Sequence, residues 1–247
     1  MKSPVITKSF LAAAMLLLSS AQAFASPISL DFMRVTSNSA VDVASQLHVT
    51  VYDQADALAT LGKTISANDV VFTFKNSVGI KSNITEIYFD DSNLLGSQIS
   101  IYHLAGVAGF GPTPLNPGNL PGGNPVGFDA TAGFGADVDA ISNQVLHDAG
   151  VTRNGIDAFG DSLGIRIRLN TDVSFLNLAQ GLQADALRIG LHVRSIGAQG
   201  DSDSFVSNGS TAGGGGLGSP VPLPAAAWMF LTGFVGFLGL QRRRTAA

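Results

Sequence analysis

Ser162 is the residue of this chain whose type and setting come closest to those of a catalytic group. It lies in the run Gly160-Asp161-Ser162-Leu163. A serine hydroxyl becomes a nucleophile when a histidine within hydrogen-bonding distance accepts its proton and a carboxylate orients that histidine. The histidine that follows Ser162 in the chain is His192, which comes seven residues after Asp185. The components of a triad are therefore present, but their spacing does not indicate one.

The run around Ser162 resembles the nucleophile motif of GDSL esterases. The resemblance implies a strand before the motif, an α/β domain after it, and an Asp-x-x-His pair near the end of that domain. Here the residues before Gly160 do not form an apolar strand, and the spacing from Asp185 to His192 does not fit the pair. We therefore predict a Gly-Asp-Ser turn between two strands, and a GDSL-type hydrolase is the least favoured of three functional interpretations.

Histidines are the next candidates for metal binding or proton transfer. The chain has four, at His48, His103, His147 and His192. They lie far apart and show none of the short spacings that a metal-binding helix requires. Since His48 and His192 take the outward phase of alternating segments, we expect both to be solvated surface residues.

Acidic residues cluster at three turns, which makes calcium the alternative metal. The turns are Asp90-Asp91-Ser92-Asn93, Asp137-Val138-Asp139 and Asp201-Ser202-Asp203. None matches a known calcium loop, and hydrogen bonds from the backbone to Asx side chains explain such residues. The chain also contains no cysteine, which excludes disulfides, thiolate zinc sites and cysteine nucleophiles. We predict no catalytic residue, no metal and no cofactor, and expect that the protein is not an enzyme.

Alternation of apolar and polar residues predicts the strands that carry these side chains. The clearest strand is Leu187 to Val193, where the odd-numbered residues would face a core and Arg188, His192 and Arg194 would face water. Further strands are predicted at residues 28–35, 47–52, 70–75, 84–89, 99–104 and 165–169. Because only one face of each is apolar, antiparallel pairing is favoured.

These strands predict an all-β protein, an antiparallel β-sandwich of about seven or more strands. We assign the sandwich to residues 26–206 and predict helices at 136–149 and 174–182. Residues 106–128 contain five prolines and many glycines, which predicts a long surface loop. Residues 207–220 are rich in Gly and Ser and are predicted to form a flexible linker.

The balance of charges argues against nucleic acid as a partner. The formal net charge is -4, and the basic residues lie at the chain ends or alternate along predicted strands. Nucleic-acid-binding proteins instead cluster Lys and Arg on one face.

The N-terminal segment has the three parts of a secretory signal peptide. Lys2 and Lys8 precede the apolar run Phe10 to Leu18, and the small residues Ala23 and Ala25 follow it. We therefore predict that residues 1–25 form a signal peptide, with signal peptidase cleaving before Ser26. The body of the chain would be exported by the secretory route.

The C-terminal segment has the composition of a single transmembrane helix. Residues 225–240 carry no charge and are followed by Arg242, Arg243 and Arg244. Together with the residues from Val221 onward, the stretch is long enough to span the roughly 30 Å hydrocarbon core of a bilayer. The arginines would stay on the cytoplasmic side and stop transfer. We thus expect an inner-membrane anchor whose folded body lies outside.

The motif Val221-Pro222-Leu223-Pro224, the apolar span and the arginine cluster together resemble the PEP-CTERM sorting signal of Gram-negative bacteria, over residues 221–247. The resemblance implies that exosortase, a membrane-embedded protease or transpeptidase, recognises the proline-containing motif and removes the tail. Leu223 stands where the namesake motif has Glu. The two prolines disfavour helix just outside the membrane, which leaves an extended segment suited to a protease cleft.

From the two ends we expect a surface-sorted structural or adhesive protein, held transiently in the inner membrane and then delivered to the cell surface or the extracellular matrix. Bacteria with such signals typically carry exopolysaccharide and biofilm loci, as the resemblance implies. The alternative interpretation is a carbohydrate-binding module for exopolysaccharide. Exposed aromatic residues on one sheet face would favour it, and the tyrosines available are Tyr52, Tyr88 and Tyr102.

Overall fold

A computed structural model describes residues 27–106, 110, 118–136 and 155–208. These residues form ten strands, two α-helices and two short 3-10 helices. The strands are β1 (Ile28–Arg34), β2 (Leu47–Tyr52), β3 (Asp69–Asn76), β4 (Asn83–Asp91), β5 (Leu95–Ala105), β6 (Ala132–Gly135), β7 (Ile156–Asp157), β8 (Ser162–Leu169), β9 (Leu187–Ile196) and β10 (Asp201–Asn208). The helices are α1 (Gln54–Leu61) and α2 (Phe175–Gln183), with 3-10 turns at Ala44–Gln46 and Asn124–Val126.

The ten strands form one antiparallel sheet in the order β5-β8-β3-β2-β1-β10-β9-β4-β6, with β7 also beside β4. Strand β1 joins two halves of this sheet. Its first residues, Ile28 to Leu30, pair with β2, whereas Asp31 to Arg34 pair with β10. We call the part from β5 to β2 the first half and the part from β10 to β6 and β7 the second half.

The sheet curls so that its two halves face each other. Phe89 of β4 contacts Phe72 and Phe74 of β3 with ring-centroid separations of 5.2 and 6.3 Å, although four strands separate β3 from β4 in the sheet. One continuous apolar core contains the inward residues of both halves. The sequence prediction of an antiparallel all-β fold is confirmed, and the architecture resembles a sandwich closed at one side by β1.

All seven predicted strands are present, as β1 to β5, β8 and β9. Strands β6 and β7 were not predicted, because they are short. Strand β10 was missed because its sequence, Asp-Ser-Asp-Ser-Phe-Val-Ser-Asn, is largely polar. It nevertheless lies in the middle of the sheet, and its last residues, Ser207 and Asn208, belong to the sheet although we placed them in the linker; Asn208 pairs with Asp31.

The helix predicted at 174–182 is confirmed as α2. Its start is fixed by a capping box in which the Ser174 hydroxyl accepts from the Asn177 amide and the Asn177 side chain accepts from the Ser174 amide. Helix α1 was not predicted; it begins after Asp53, whose side chain accepts from the Asp56 amide, and ends at Gly62 in the left-handed conformation. Of the other predicted helix, residues 137–149 lie outside the described residues.

The prediction that 106–128 is a surface loop is confirmed for most of its described C-terminal part, since residues 118–128 are irregular apart from one 3-10 turn and most of them are exposed, but two large side chains there are buried. Leu120 and Phe128 are only 2% and 1% exposed, because they pack on the outer face of the second half. Gly190 of β9 makes room for them: a Cβ atom there would lie 2.9 Å from Phe128 Cζ and 3.0 Å from Leu120 Cδ2. This segment therefore covers one face of the sheet.

Both predicted targeting segments, residues 1–25 and 221–247, lie outside the described residues. Within the described ranges, no helix has the length and apolar character needed to cross a membrane.

Candidate functional site

A polar groove on the outer face of the first half is the candidate functional site. Its floor is built by strand register: His48 of β2 lies opposite Lys75 of β3, which in turn lies opposite Ser162 of β8. Directly opposed residues of antiparallel strands project from the same face. The three side chains therefore form one row across three strands, although they are distant in sequence.

A second row of the floor consists of Thr50, Thr73 and Gly164. The Thr73 hydroxyl donates to the Thr50 carbonyl oxygen over 3.2 Å. Gly164 lets the neighbouring strand β5 approach, since a Cβ atom there would lie 3.3 Å from Tyr102 Cβ and 3.5 Å from Leu104 Cδ1. The absence of a side chain at position 164 keeps the floor flat.

The groove has two walls and encloses about 390 Å³. One wall comes from Tyr52 and from Leu61 of α1, a helix that is held on the sheet by packing around Val71. The other wall is Leu104 of β5. The lining residues are His48, Thr50, Tyr52, Leu61, Thr73, Lys75, Ser77, Leu104 and Ser162. Because α1 was not predicted from the sequence, the wall that it provides could not be predicted either.

The groove is bordered by a charge cluster of one carboxylate and two guanidinium groups. The Asp69 carboxylate of β3 accepts from Arg166 and, over 3.0 Å, from Arg168. Burial opposes ionisation of Asp69, but the hydrogen bonds from both arginines outweigh it, and the pKa of Asp69 is lowered. Asp69 and its arginines therefore stabilise the sheet, and because two guanidinium groups share one carboxylate, the cluster keeps one net positive charge.

The structure separates Ser162 from His192. Ser162 is the first residue of β8 and points to the outer face of the first half, whereas His192 of β9 points to the outer face of the second half, with the core between them. The predicted turn between strands is confirmed, since residues 158–161 connect β7 to β8. The GDSL-like run thus does not bring Ser162 together with this histidine.

The expectation that His192 is solvated is wrong. Its side chain is buried, and its Nδ1 atom lies 2.6 Å from Oε2 of Glu86. The same Glu86 oxygen also accepts from the Tyr88 hydroxyl over 2.9 Å. The hydrogen bond from His192 has the largest effect on Glu86 and lowers its pKa. Burial raises the pKa, but by less, so the net shift is downward. Arg194 was expected in water and is partly exposed, with its guanidinium 3.4 Å from the other Glu86 oxygen.

Arg188 was also expected in water, and it too is largely buried. Its guanidinium pairs with Asp90 and donates to the Val126 carbonyl oxygen over 2.9 Å. The Cζ atom of this guanidinium also lies 5.4 Å from the centroid of the Phe128 ring. Residues 118–130 therefore cover Arg188, and Arg188, which was predicted to face water, instead binds this segment to the sheet.

The remaining histidines and the tyrosines divide between the two faces. His48 is exposed in the groove, as predicted, and His103 Nε2 lies 3.2 Å from the Phe110 carbonyl oxygen; His147 lies outside the described residues. Tyr52 lines the groove and Tyr102 lies beside it, but Tyr88 is buried on the opposite face.

The two acidic segments that the structure describes differ: Asp201 to Asp203 begin strand β10, where Asp203 accepts from the distant amides of Asn38 and Ser39, whereas the segment at Asp90 to Asn93 makes local hydrogen bonds. The Asp91 carboxylate accepts from the amides of Leu94 and Leu95, which fits the Asx-turn interpretation. Asp137 and Asp139 lie outside the described residues. Within the described ranges, no group of three or more His, Asp or Glu side chains is placed to hold a metal ion.

Asp161, next to Ser162, is a buried acid beside a second acid. Burial, and then the nearby Asp157 carboxylate, raise the pKa of Asp161 from 3.8 to about 6. Between these two pH values, the folded protein therefore keeps a proton on Asp161 that the unfolded chain has lost. The stability that this proton contributes is fully present below about pH 4 and is lost as the pH rises through about 6.

Asp161→Asn is accordingly expected to stabilise the protein relative to wild type increasingly as the pH rises from 4 to 6. The difference in the free energy of unfolding between the variant and wild type should increase by no more than about 1.4 kcal/mol per pH unit. Chemical unfolding at half-unit pH steps measures it. The matched control is Asp31→Asn, which removes an exposed carboxylate instead of a buried one. If the difference in stability between Asp161→Asn and wild type did not change with pH, the prediction would be contradicted.

No protein-family model, curated protein or solved structure matches this chain.

Proposed function

We propose that this chain is an exported surface protein of a Gram-negative bacterium, sorted by exosortase, whose β domain is a non-enzymatic structural or adhesive component of the extracellular matrix. The observation that supports the proposal is where the sheet begins and ends. Strand β1 starts at Ile28, after the predicted cleavage before Ser26, and β10 ends at Asn208, before the motif at Val221 to Pro224. Cleavage at both predicted positions would leave the sheet intact.

The pairing of these two strands also suits a tethered domain. Asp31 lies opposite Asn208, so the first and last strands run antiparallel and the domain enters and leaves at the same end of the sheet. The twelve residues 209–220 reach at most about 40 Å when extended. A domain attached in this way can be carried on a C-terminal anchor and released from it without unfolding.

The double variant Pro222→Ala/Pro224→Ala tests sorting in a host with an active exosortase. We expect the variant to accumulate uncleaved in the inner membrane, because alanines extend the helix into the segment that the protease must accept. Cell fractionation with an antibody against the β domain measures the distribution. Pro220→Ala is the matched control and should be sorted like wild type. Surface delivery of the cleaved double variant at the wild-type level would contradict the role of the motif.

A second function, binding of exopolysaccharide, is favoured by the groove on the first half. The groove offers hydroxyl groups from Thr50, Thr73 and Ser162 along its floor and an aromatic side chain, Tyr52, at its wall. Its volume of about 390 Å³ falls within the range of small-ligand sites, about 300–1,000 Å³. This function is compatible with the matrix role and independent of how the tail is processed.

A further inference from the structure

We infer that the groove on the first half binds saccharides that carry a carboxylate, such as uronic acids, with Lys75 as the residue that recognises the charge. The inference rests on the second proposed function, polysaccharide binding, and names its ligand class. Three observations support it: the pairing state of the basic residues, the composition of the groove, and the position of Lys75 within it.

The arginines of the described sheet already have partners. Arg34 pairs with Asp203, Arg166 and Arg168 pair with Asp69, Arg188 pairs with Asp90, and Arg194 pairs with Glu86. Each of them therefore has a carboxylate partner within the fold, although Arg166 and Arg168 share one. Lys75 differs, because no carboxylate among the described residues forms an ion pair with it. In a chain of net charge -4, it is an exposed and uncompensated cation.

No carboxylate is found among the described residues that line the groove. Its nine lining residues include Lys75 and His48 but neither Asp nor Glu. A saccharide carboxylate entering the groove would thus meet the ammonium group of Lys75 and no acidic side chain among the lining residues. A hydrogen bond from the ammonium group to this carboxylate would be charge-assisted, and such bonds are stronger than those between neutral groups.

The position of Lys75 suits a sugar better than a small inorganic anion. Lys75 lies between His48 and Ser162 in its row, and the next row carries the hydroxyls of Thr50 and Thr73. A pyranose ring placed over the floor can therefore exchange hydrogen bonds with several hydroxyls while its carboxylate contacts the ammonium group. Tyr52 offers an apolar surface on which the ring can pack. A free phosphate could use Lys75 and the hydroxyls, but it has no apolar face to pack against Tyr52.

The test compares oligogalacturonate with its methyl ester, which has the same rings but no charge, by titration calorimetry on the full-length chain in detergent. We expect oligogalacturonate to bind about tenfold more tightly than the ester, the order expected for a hydrogen bond to a charged group. Added salt should reduce this difference. Lys75→Ala should remove the preference by weakening oligogalacturonate binding to the level of the ester, and Lys81→Ala, a lysine outside the groove, should behave as wild type. Tyr52→Ala should weaken both ligands.

The outcomes distinguish a failure of the preference for acidic saccharides from a failure of saccharide binding as a whole. Equal binding of both ligands, unaffected by Lys75→Ala, would overturn the assignment of an acidic saccharide while leaving saccharide binding in place. Binding of neither ligand would overturn both. Because Lys75 is exposed, Lys75→Ala should keep the wild-type unfolding transition, and the comparison of variants does not depend on a change in folding.

Discussion

Phe89→Ala should lower the free energy of unfolding by about 3–5 kcal/mol, the usual cost of truncating a buried phenylalanine. Phe89 is fully buried and contacts Phe72 and Phe74 from the opposite half of the sheet. It also meets Phe134 of β6 edge-on, with 5.8 Å between ring centroids. Removing the ring leaves a cavity where the two halves meet, and it removes aromatic contacts that no other residue replaces.

Urea unfolding followed by circular dichroism measures this loss. Phe159→Ala is the matched control, because Phe159 is 64% exposed, and its substitution should change the free energy of unfolding by less than about 0.5 kcal/mol. If Phe89→Ala cost no more than Phe159→Ala, the two halves of the sheet would not face each other across Phe89 as described.

Asp203→Ala is the second substitution with a large expected effect, again about 3–5 kcal/mol. The Asp203 side chain is completely buried and accepts four hydrogen bonds, from Arg34 Nη2 at 2.6 Å, Thr36 Oγ1 at 2.8 Å and the amides of Asn38 and Ser39 at 2.8 and 3.1 Å. Alanine at this position would leave a largely buried guanidinium without its counter-ion and two amides without acceptors. The loop that follows β1 would lose its attachment to β10.

The same unfolding measurement tests this prediction. Asp31→Ala serves as control, since Asp31 is an exposed carboxylate of β1 and should contribute less than about 0.5 kcal/mol. Equal losses for Asp203→Ala and Asp31→Ala would show that the buried network does not stabilise the fold.

The fold was predictable where a strand buries one face by regular alternation. Strand β9 illustrates this, because Leu187, Ile189, Leu191 and Val193 all face the core as predicted. Strand β10 was not predictable, since its buried polar residues find partners outside the strand: the Ser207 hydroxyl accepts from the Ile189 amide of β9, and Asp203 accepts from Thr36 in the loop after β1. Whether a polar residue can be buried depends on its tertiary hydrogen bonds, and no local sequence pattern reveals these.

The candidate site was predictable only as separate residues. The outward phase of His48 and Tyr52 could be predicted from the alternation along β2, and Ser162 stood out by its motif. Their assembly in one groove depends on the register that sets Lys75 between β2 and β8, and on α1. His192 was placed wrongly because its partner, Glu86, lies 106 positions away.

Mass spectrometry of the intact mature protein tests the proposed sorting most directly. We predict a mature chain that begins at Ser26 and lacks Arg242 to Ala247 in cells with an active exosortase, and one that keeps this tail when the exosortase is deleted. A mature protein that retains Arg242 to Ala247 in cells with an active exosortase would contradict the proposal.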